Sequence, residues 1–285
     1  MPVQEMSSAA ARRPPVETAL AVRAGSLSAT SFLTPEGIMR YLAPLIAAAA
    51  IAAPLAAVPR LANVIAAAVA DPARPAEGRA ADPLRKPAET LAFSGVKPGM
   101  IVGEFYPGGG YFTRMISGVV GPRGHVYGLE NQGWKGAVKA DQELFKECPK
   151  CTNVTIEAKP FGTVSFPKPL DLAWVTQNYH DLKIAEYGKV DTLAFDRAVY
   201  KALKPGGTFF ILDHQGPPGM TDEQIAKMHR INRDVVVREV TSAGFRLAAE
   251  GKFLRCPGDD HTLAIFDDKI RGKTDQYALK FVKPR

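Results

Sequence analysis

The chain has 285 residues, 46% hydrophobic and 23% charged, with only 3 cysteines. That balance excludes a disordered acidic chain, a collagen, a coiled coil and a disulfide-stapled scaffold, and it leaves enough apolar material for a sizeable core. Lys and Arg outnumber Asp and Glu by 36 to 29, a formal charge of +7; the basic residues are scattered, so no nucleic-acid partner is expected and an anionic small ligand suits the excess.

Residues 1–38 are rich in Ala, Ser, Pro and Arg without a sustained apolar period, and read as a disordered or mis-assigned extension, with translation starting at Met39. Residues 39–58 then place Arg40 before an uncharged run of Ala, Leu and Ile that ends among small residues, which is the pattern of an export signal or signal anchor. The alternative, a buried Ala-rich helix, is opposed by Pro44 and Pro54 within the run and Pro59 just beyond it. An exported, periplasmic protein is therefore expected, touching a membrane only through this segment. Residues 59–83 read as a linker and lead-in with a short apolar helix over 61–70, and residues 84–285 as one domain.

From residue 84 strand-like and helix-like segments alternate. A helix starts at 86–91, a short apolar strand follows at 100–105, and Pro107-Gly108-Gly109-Gly110 makes a glycine turn. Over 111–120 the residues Phe112, Met115, Ile116 and Val119 share one helical face. Further strands are expected at 125–130, 154–157, 170–176 and 208–213, with a helix at 191–203 before the fifth. The stripe Ile225, Met228, Ile231, Val235 predicts one long helix over 221–243, and late strands are expected near 245–249, 261–266 and 277–282. Alternation of this kind means an α/β fold: a doubly wound, mostly parallel sheet with helices on both faces and late strands adding an antiparallel edge.

Three stretches carry a more specific signal. Val96-Lys97-Pro98-Gly99-Met100-Ile101-Val102-Gly103-Glu104 leads into the glycine turn, Gly121-Pro122-Arg123-Gly124-His125-Val126-Tyr127-Gly128-Leu129-Glu130 leads out of the next helix, and Leu203-Lys204-Pro205-Gly206-Gly207-Thr208 precedes the fifth strand. In this order and spacing the chain resembles the class I S-adenosylmethionine-dependent methyltransferases, and with its export segment a bacterial family of exported methyltransferases. The resemblance implies a Rossmann-like, seven-stranded sheet whose last strand is antiparallel. It also implies a cofactor cradle: Glu104 near the amino-acid end of S-adenosylmethionine, Gly108, Gly109 and Gly110 beneath it, and Glu130 accepting from the ribose hydroxyls. Thr176 and Asn178, at the end of the fourth strand, would border the same ligand. The family's first glycine position holds Tyr106 here, and Glu replaces the commoner Asp at 104. The chemistry is sound without the resemblance, because two vicinal hydroxyl donors match the two oxygens of one carboxylate.

The run Thr176-Gln177-Asn178-Tyr179-His180-Asp181 follows the fourth strand, at the carboxyl edge where open α/β sheets place their sites. Tyr179 would orient a substrate, His180 would take a proton from an acceptor, and Asp181 would fix the imidazole tautomer or face the substrate. His214, after the fifth strand, reaches the same edge. Either imidazole would otherwise be a capping or turn residue. Two imidazoles with Asp181 or Asp213 form too loose a set for a metal to be assigned. His261 lies in a charged loop expected to fold over the site, and His229, on a polar helix face, would line the pocket mouth. Arg233 and Asp234 stand four residues beyond His229 and Arg230, close enough to pair. In an exported chain Cys148 and Cys151 would form a disulfide, leaving Cys256 buried and single. The functions in contention are a methyltransferase acting on a small-molecule acceptor, a non-methyltransferase enzyme using His180 and His214 for acid–base or lyase chemistry, and a non-catalytic small-ligand-binding protein.

Overall fold

The structure is a computed structural model that describes residues 60–134 and 148–285, together with 139, 142, 145 and 146. The expected extension and export segment, residues 1–58, lie outside the described residues. All described residues belong to one compact unit, Ala56–Arg285. No helix among them is long and apolar enough to cross a membrane.

The chain enters through helices α1 (Leu61–Val69), α2 (Ala76–Ala80), α3 (Asp82–Arg85) and α4 (Pro87–Ser94), then alternates: β1 (Ile101–Phe105), α5 (Tyr111–Val120), β2 (His125–Asn131), β3 (Val154–Lys159), β4 (Leu170–Thr176), α6 (Thr192–Ala202), β5 (Leu203–His214), α7 (Asp222–Met228), α8 (Arg233–Ser242), β6 (Arg246–Gly251) and β7 (Gln276–Val282). The strands form one 7-stranded sheet in the order β3-β2-β1-β4-β5-β7-β6. Only β7 runs antiparallel to its two neighbours. The order reverses between β1 and β4, which pair directly, so loops diverge there and leave a crevice at the carboxyl edge.

Alternation along each central strand sends side chains to two cores. Phe105, Val175, Phe209, Ile211 and Leu279 face one side, under Phe195 and Val199 of α6 and Val236 and Val240 of α8. Val102, Trp174, Phe210 and Leu212 face the other, against Leu91 of α4 and the predicted stripe of α5. Apolar burial on both faces is what a parallel sheet requires. The segment read as a linker is part of this second core: α1 packs on α5 and α4, with Ile65 and Ala68 buried. Gly118 permits that approach, since a Cβ there would lie 3.3 Å from Ala68 Cβ.

Two expected elements differ. The long helix over 221–243 is two helices broken at His229, which adopts φ 51° at the C-cap of α7. The reason lies one residue on. Arg230 is fully buried and leaves the helical path to pair with Asp259 at 2.9 Å and to donate to the carbonyls of Leu263 and Gln215. Ile231 then bridges Gln215 beside the end of β5. The expected pairing of Arg230 with Asp234 is accordingly replaced, and Arg233 binds Asp234 and Glu250. Residues 261–266 form a loop, not a strand, because Asp259 and Asp275 anchor it through side chains. Cys148 and Cys151 are disulfide-bonded, and Cys256 is free and half-buried rather than buried.

Candidate functional site

Two constellations stand at the carboxyl edge. The first is built by the tips of β1 and β2. Tyr106 N–H donates to Leu129 O, after which the chain turns through left-handed conformations at Tyr106 (φ 55°), Gly108 (φ 50°) and Gly110 (φ 70°). The first of these explains why glycine is usual at position 106, since a side chain is disfavoured there. The Tyr106 ring is accommodated by an aromatic cluster, edge-on to Phe161 at 4.9 Å and beside Trp134, and burial raises its phenol well above the ordinary range. Glu104 and Glu130 are buried at the two strand ends, and Glu130 Oε1 accepts from Gly108 N–H at 3.3 Å. A Cβ on Gly108 or Gly109 would meet nothing within 4 Å, so the turn is bare at these two residues, whereas at Gly110 a Cβ would lie 2.6 Å from the Phe145 ring, which covers the third glycine expected beneath the cofactor.

The second constellation is built by the tips of β4 and β5 and the C-terminus of α7. Gln177 (φ 60°) donates its N–H to Leu212 O at 2.6 Å and then kinks the chain into a short 3₁₀ turn, His180–Lys183. Asp213, fully buried at the end of β5, receives that turn: its carboxylate accepts from His180 N–H at 2.9 Å, His180 Nδ1 at 2.7 Å and His214 N–H at 2.7 Å. With Nδ1 engaged, His180 Nε2 points the other way, 3.2 Å from Asp181 Oδ1 and 3.2 Å from His229 Nδ1. Asp181 is steadied by Asn178 Nδ2 at 2.7 Å. The left-handed turn at His229 brings its ring edge-on to His180, with 5.3 Å between centroids.

The electrostatics divide the two imidazoles of the strand tips. Burial alone would push the His180 imidazolium down, but Asp213 and Asp181 outweigh it and hold its pKa up at about 10. Burial also acts against the Asp181 carboxylate, which His180 nevertheless keeps well below the usual carboxylate range. His214 is the opposite case. Burial, reinforced by the positive charges of His180, Arg230 and Arg85, keeps it neutral, and its Nδ1 lies 2.7 Å from Thr274 Oγ1.

A cleft of about 510 Å³ opens over this second constellation, lined by His180, Asp181, His214 and His229 and walled by Trp134, Tyr187, Phe266, Arg85 and Arg271. Arg85 comes from α3, stacks 4.2 Å over Tyr111 and is hydrogen-bonded to Gln177.

The structure thus brings His180, Asp181, His214, His229 and Asn178 together. Tyr179 is not with them: its ring is fully buried and its hydroxyl meets Asp196 at 2.9 Å and Glu239 at 3.3 Å, so it braces the core instead of orienting a substrate. Thr176 is buried and receives the Trp174 indole N–H. His261 is tied to Asp275 at 3.1 Å and lies outside the residues lining the cleft. Asp213, not Asp181, engages His180 Nδ1, and the two carboxylates favour the protonated ring, a form suited to giving a proton rather than to the base role expected of it. Sequence reasoning gave Asp213 no firm role, although its place directly before His214 was a usable signal. It missed Arg85 entirely, because nothing local at the start of the domain marks one arginine as the wall of a cleft.

No family profile and no curated protein matches this sequence. Solved structures do. A SAM-dependent methyltransferase from Aquifex aeolicus superimposes with a TM-score of 0.53 at 18% identity, covering 79% of this chain and 100% of that one. A Galdieria sulphuraria protein provisionally named a sarcosine dimethylglycine methyltransferase gives 0.52 at 15% identity, over 72% of this chain and 86% of its own. The fold is that of the class I methyltransferases. The expected doubly wound, seven-stranded sheet with an antiparallel last strand is the one observed.

Proposed function

We propose that the chain is an S-adenosylmethionine-dependent methyltransferase acting on a small-molecule acceptor. One observation carries the reading: the sheet order is joined to two buried carboxylates, Glu104 and Glu130, at adjacent strand tips across a glycine turn that is bare at Gly108 and Gly109. These residues fit the cofactor. Glu130 would accept from the ribose hydroxyls, the uncovered backbone at Gly108 and Gly109 would take the amino-acid portion, and Glu104 would face its ammonium. When bound, the cofactor supplies an electrophilic methyl group on a sulfonium. Arg85 and Arg271 would attract an anionic acceptor into the cleft. His214, neutral and held at Nδ1 by Thr274, leaves Nε2 to take the proton that the acceptor's hydroxyl or thiol loses. Asp213 fixes His214 through its backbone N–H.

Export to the periplasm belongs to the same proposal. It is supported by the composition of residues 39–58 and by the Cys148–Cys151 disulfide, a bond typical of oxidising compartments. The absence of a basic cluster in the sequence favours a small acceptor over nucleic acid.

Calorimetry of the full chain with S-adenosylmethionine is the direct test. Saturable binding, competed by S-adenosylhomocysteine, is expected; no heat at millimolar cofactor with folded protein overturns the reading. A second reading, acid–base catalysis without methyl transfer, is favoured by a specific observation: the cleft is lined by three imidazoles and not by Glu104, the glycine turn or Glu130.

A further inference from the structure

The geometry points to a divalent transition-metal site formed by His180, Asp181 and His229, independent of whether the chain transfers methyl groups. Three ligand atoms from three side chains converge there. His180 Nε2 lies 3.2 Å from both Asp181 Oδ1 and His229 Nδ1, and those two lie 3.4 Å apart. Atoms in a triangle of that size can all stand about 2.0–2.1 Å from one ion placed less than about 1 Å off their plane, which is the ordinary bond length for imidazole and carboxylate to zinc. Two imidazoles and one carboxylate on one face of an ion, the ion displacing the His180 Nε2 proton, leave its other positions open, as in catalytic rather than structural sites.

A separate observation points to a ligand. Asp181 Oδ1 is buried and accepts no hydrogen bond, although two imidazole nitrogens are close to it. A buried carboxylate oxygen is normally satisfied, and an ion in the centre of the triangle satisfies it together with both nitrogens. The supporting shell has the form that metal sites use. Asp213 Oδ1 holds His180 Nδ1 at 2.7 Å, fixing the ring so that Nε2 faces the triangle, and Asn178 Nδ2 holds the other Asp181 oxygen at 2.7 Å. Further, all three residues line the 510 Å³ cleft, so the open positions are reachable by solvent and by a small ligand. A hydroxyl or carboxylate oxygen of an anionic molecule, steered by Arg85 and Arg271, is the chemical class that would complete the coordination.

The site gathers residues 48 positions apart only because the helix breaks at His229, where the left-handed C-cap swings the ring toward β4. That explains why the sequence pattern, which offers no metal-ligand spacing, assigned none.

The test uses the untagged full chain, stripped with a chelator and titrated with Zn²⁺ by calorimetry, with Co²⁺ as a spectroscopic probe. One ion per chain is expected, and visible d–d bands on Co²⁺ addition. Asp181→Asn and His229→Asn each should weaken binding at least about tenfold. Asparagine tolerates the left-handed backbone at 229, so that variant keeps the fold, which circular dichroism verifies. His261→Ala, outside the triangle, should bind as the parent does. Failure of the folded parent to bind Zn²⁺ at micromolar concentration overturns the inference, as does unchanged stoichiometric binding in both ligand variants. Neither outcome bears on cofactor binding, which is measured without metal.

Discussion

The two halves of the carboxyl edge are made differently. At β1 and β2 the site is carried by short runs at two adjacent strand tips, where the carboxylates of Glu104 and Glu130 flank a turn shaped by backbone conformation at Tyr106, Gly108 and Gly110. At β4 and β5 it is carried by side chains from four separate places, His180–Asp181, Asp213–His214, His229 and Thr274, with the buried Asp213 carboxylate tying His180 to His214. The first kind of site tolerates change in its surroundings because it is local. The second depends on every element that delivers a residue, and above all on Asp213.

The largest expected effect breaks that dependence. Asp213→Ala removes the partner of a charged, buried imidazole and leaves the His180 and His214 N–H groups without their acceptor, so a loss of about 3–5 kcal/mol is expected. Urea unfolding measures it, and a loss below about 1 kcal/mol would mean that Asp213 is not the keystone of this half.

Glu130→Gln probes the other half. The amide keeps an oxygen for Gly108 N–H, so stability should change little, while cofactor affinity should fall about tenfold or more through the lost charge on the ribose hydroxyls. Calorimetry on both variants sharpens the contrast: Asp213 acts on folding, Glu130 on binding. Equal affinity in Glu130→Gln would show that the ribose lies elsewhere.

The smallest effect concerns delivery of His229. Burial works against the Asp259 carboxylate, but the Asp275 N–H and Arg230 outweigh it and lower its pKa. A carboxyl group with a folded pKa below its unfolded value stabilises above the unfolded value, near 3.9, and the contribution is lost as pH falls through the folded one. The stability gap between the parent chain and Asp259→Asn should therefore be present at neutral pH and narrow below about pH 4. A gap that is constant from neutral pH to pH 3 would exclude charge on Asp259 as its source.

The same division governs what could be read in advance. All the expected strands except 261–266, the α5 stripe and the glycine turn were legible because each is set by residues near one another in the chain; the apolar run at 208–213 marked the fifth strand, although that strand begins at Leu203 and takes in the Pro205-Gly206-Gly207 read as a turn. The 221–243 segment misled because its apolar spacing stays helical through residue 229. What ends the helix is Arg230 reaching Asp259, a partner that no local window contains. His261 misled for the converse reason: the charged loop expected to fold over the site does reach the cleft through Phe266 and Arg271, but His261 itself belongs to an anchoring network with Asp275 and Arg255. Residues of the lead-in were underrated, since Ile65 and Ala68 are core, and so was Arg85 at the start of the domain, which is a wall of the cleft.

By itself the sequence determined the layer architecture, the strand that precedes the glycine turn, and the carboxylates at the first two strand tips, because periodicity and backbone permissiveness are local properties. Tertiary structure decided which imidazole is charged, which is neutral, and which three side chains converge. Those outcomes depend on burial and on carboxylates approaching from distant segments, and neither quantity exists until the sheet has closed its crevice.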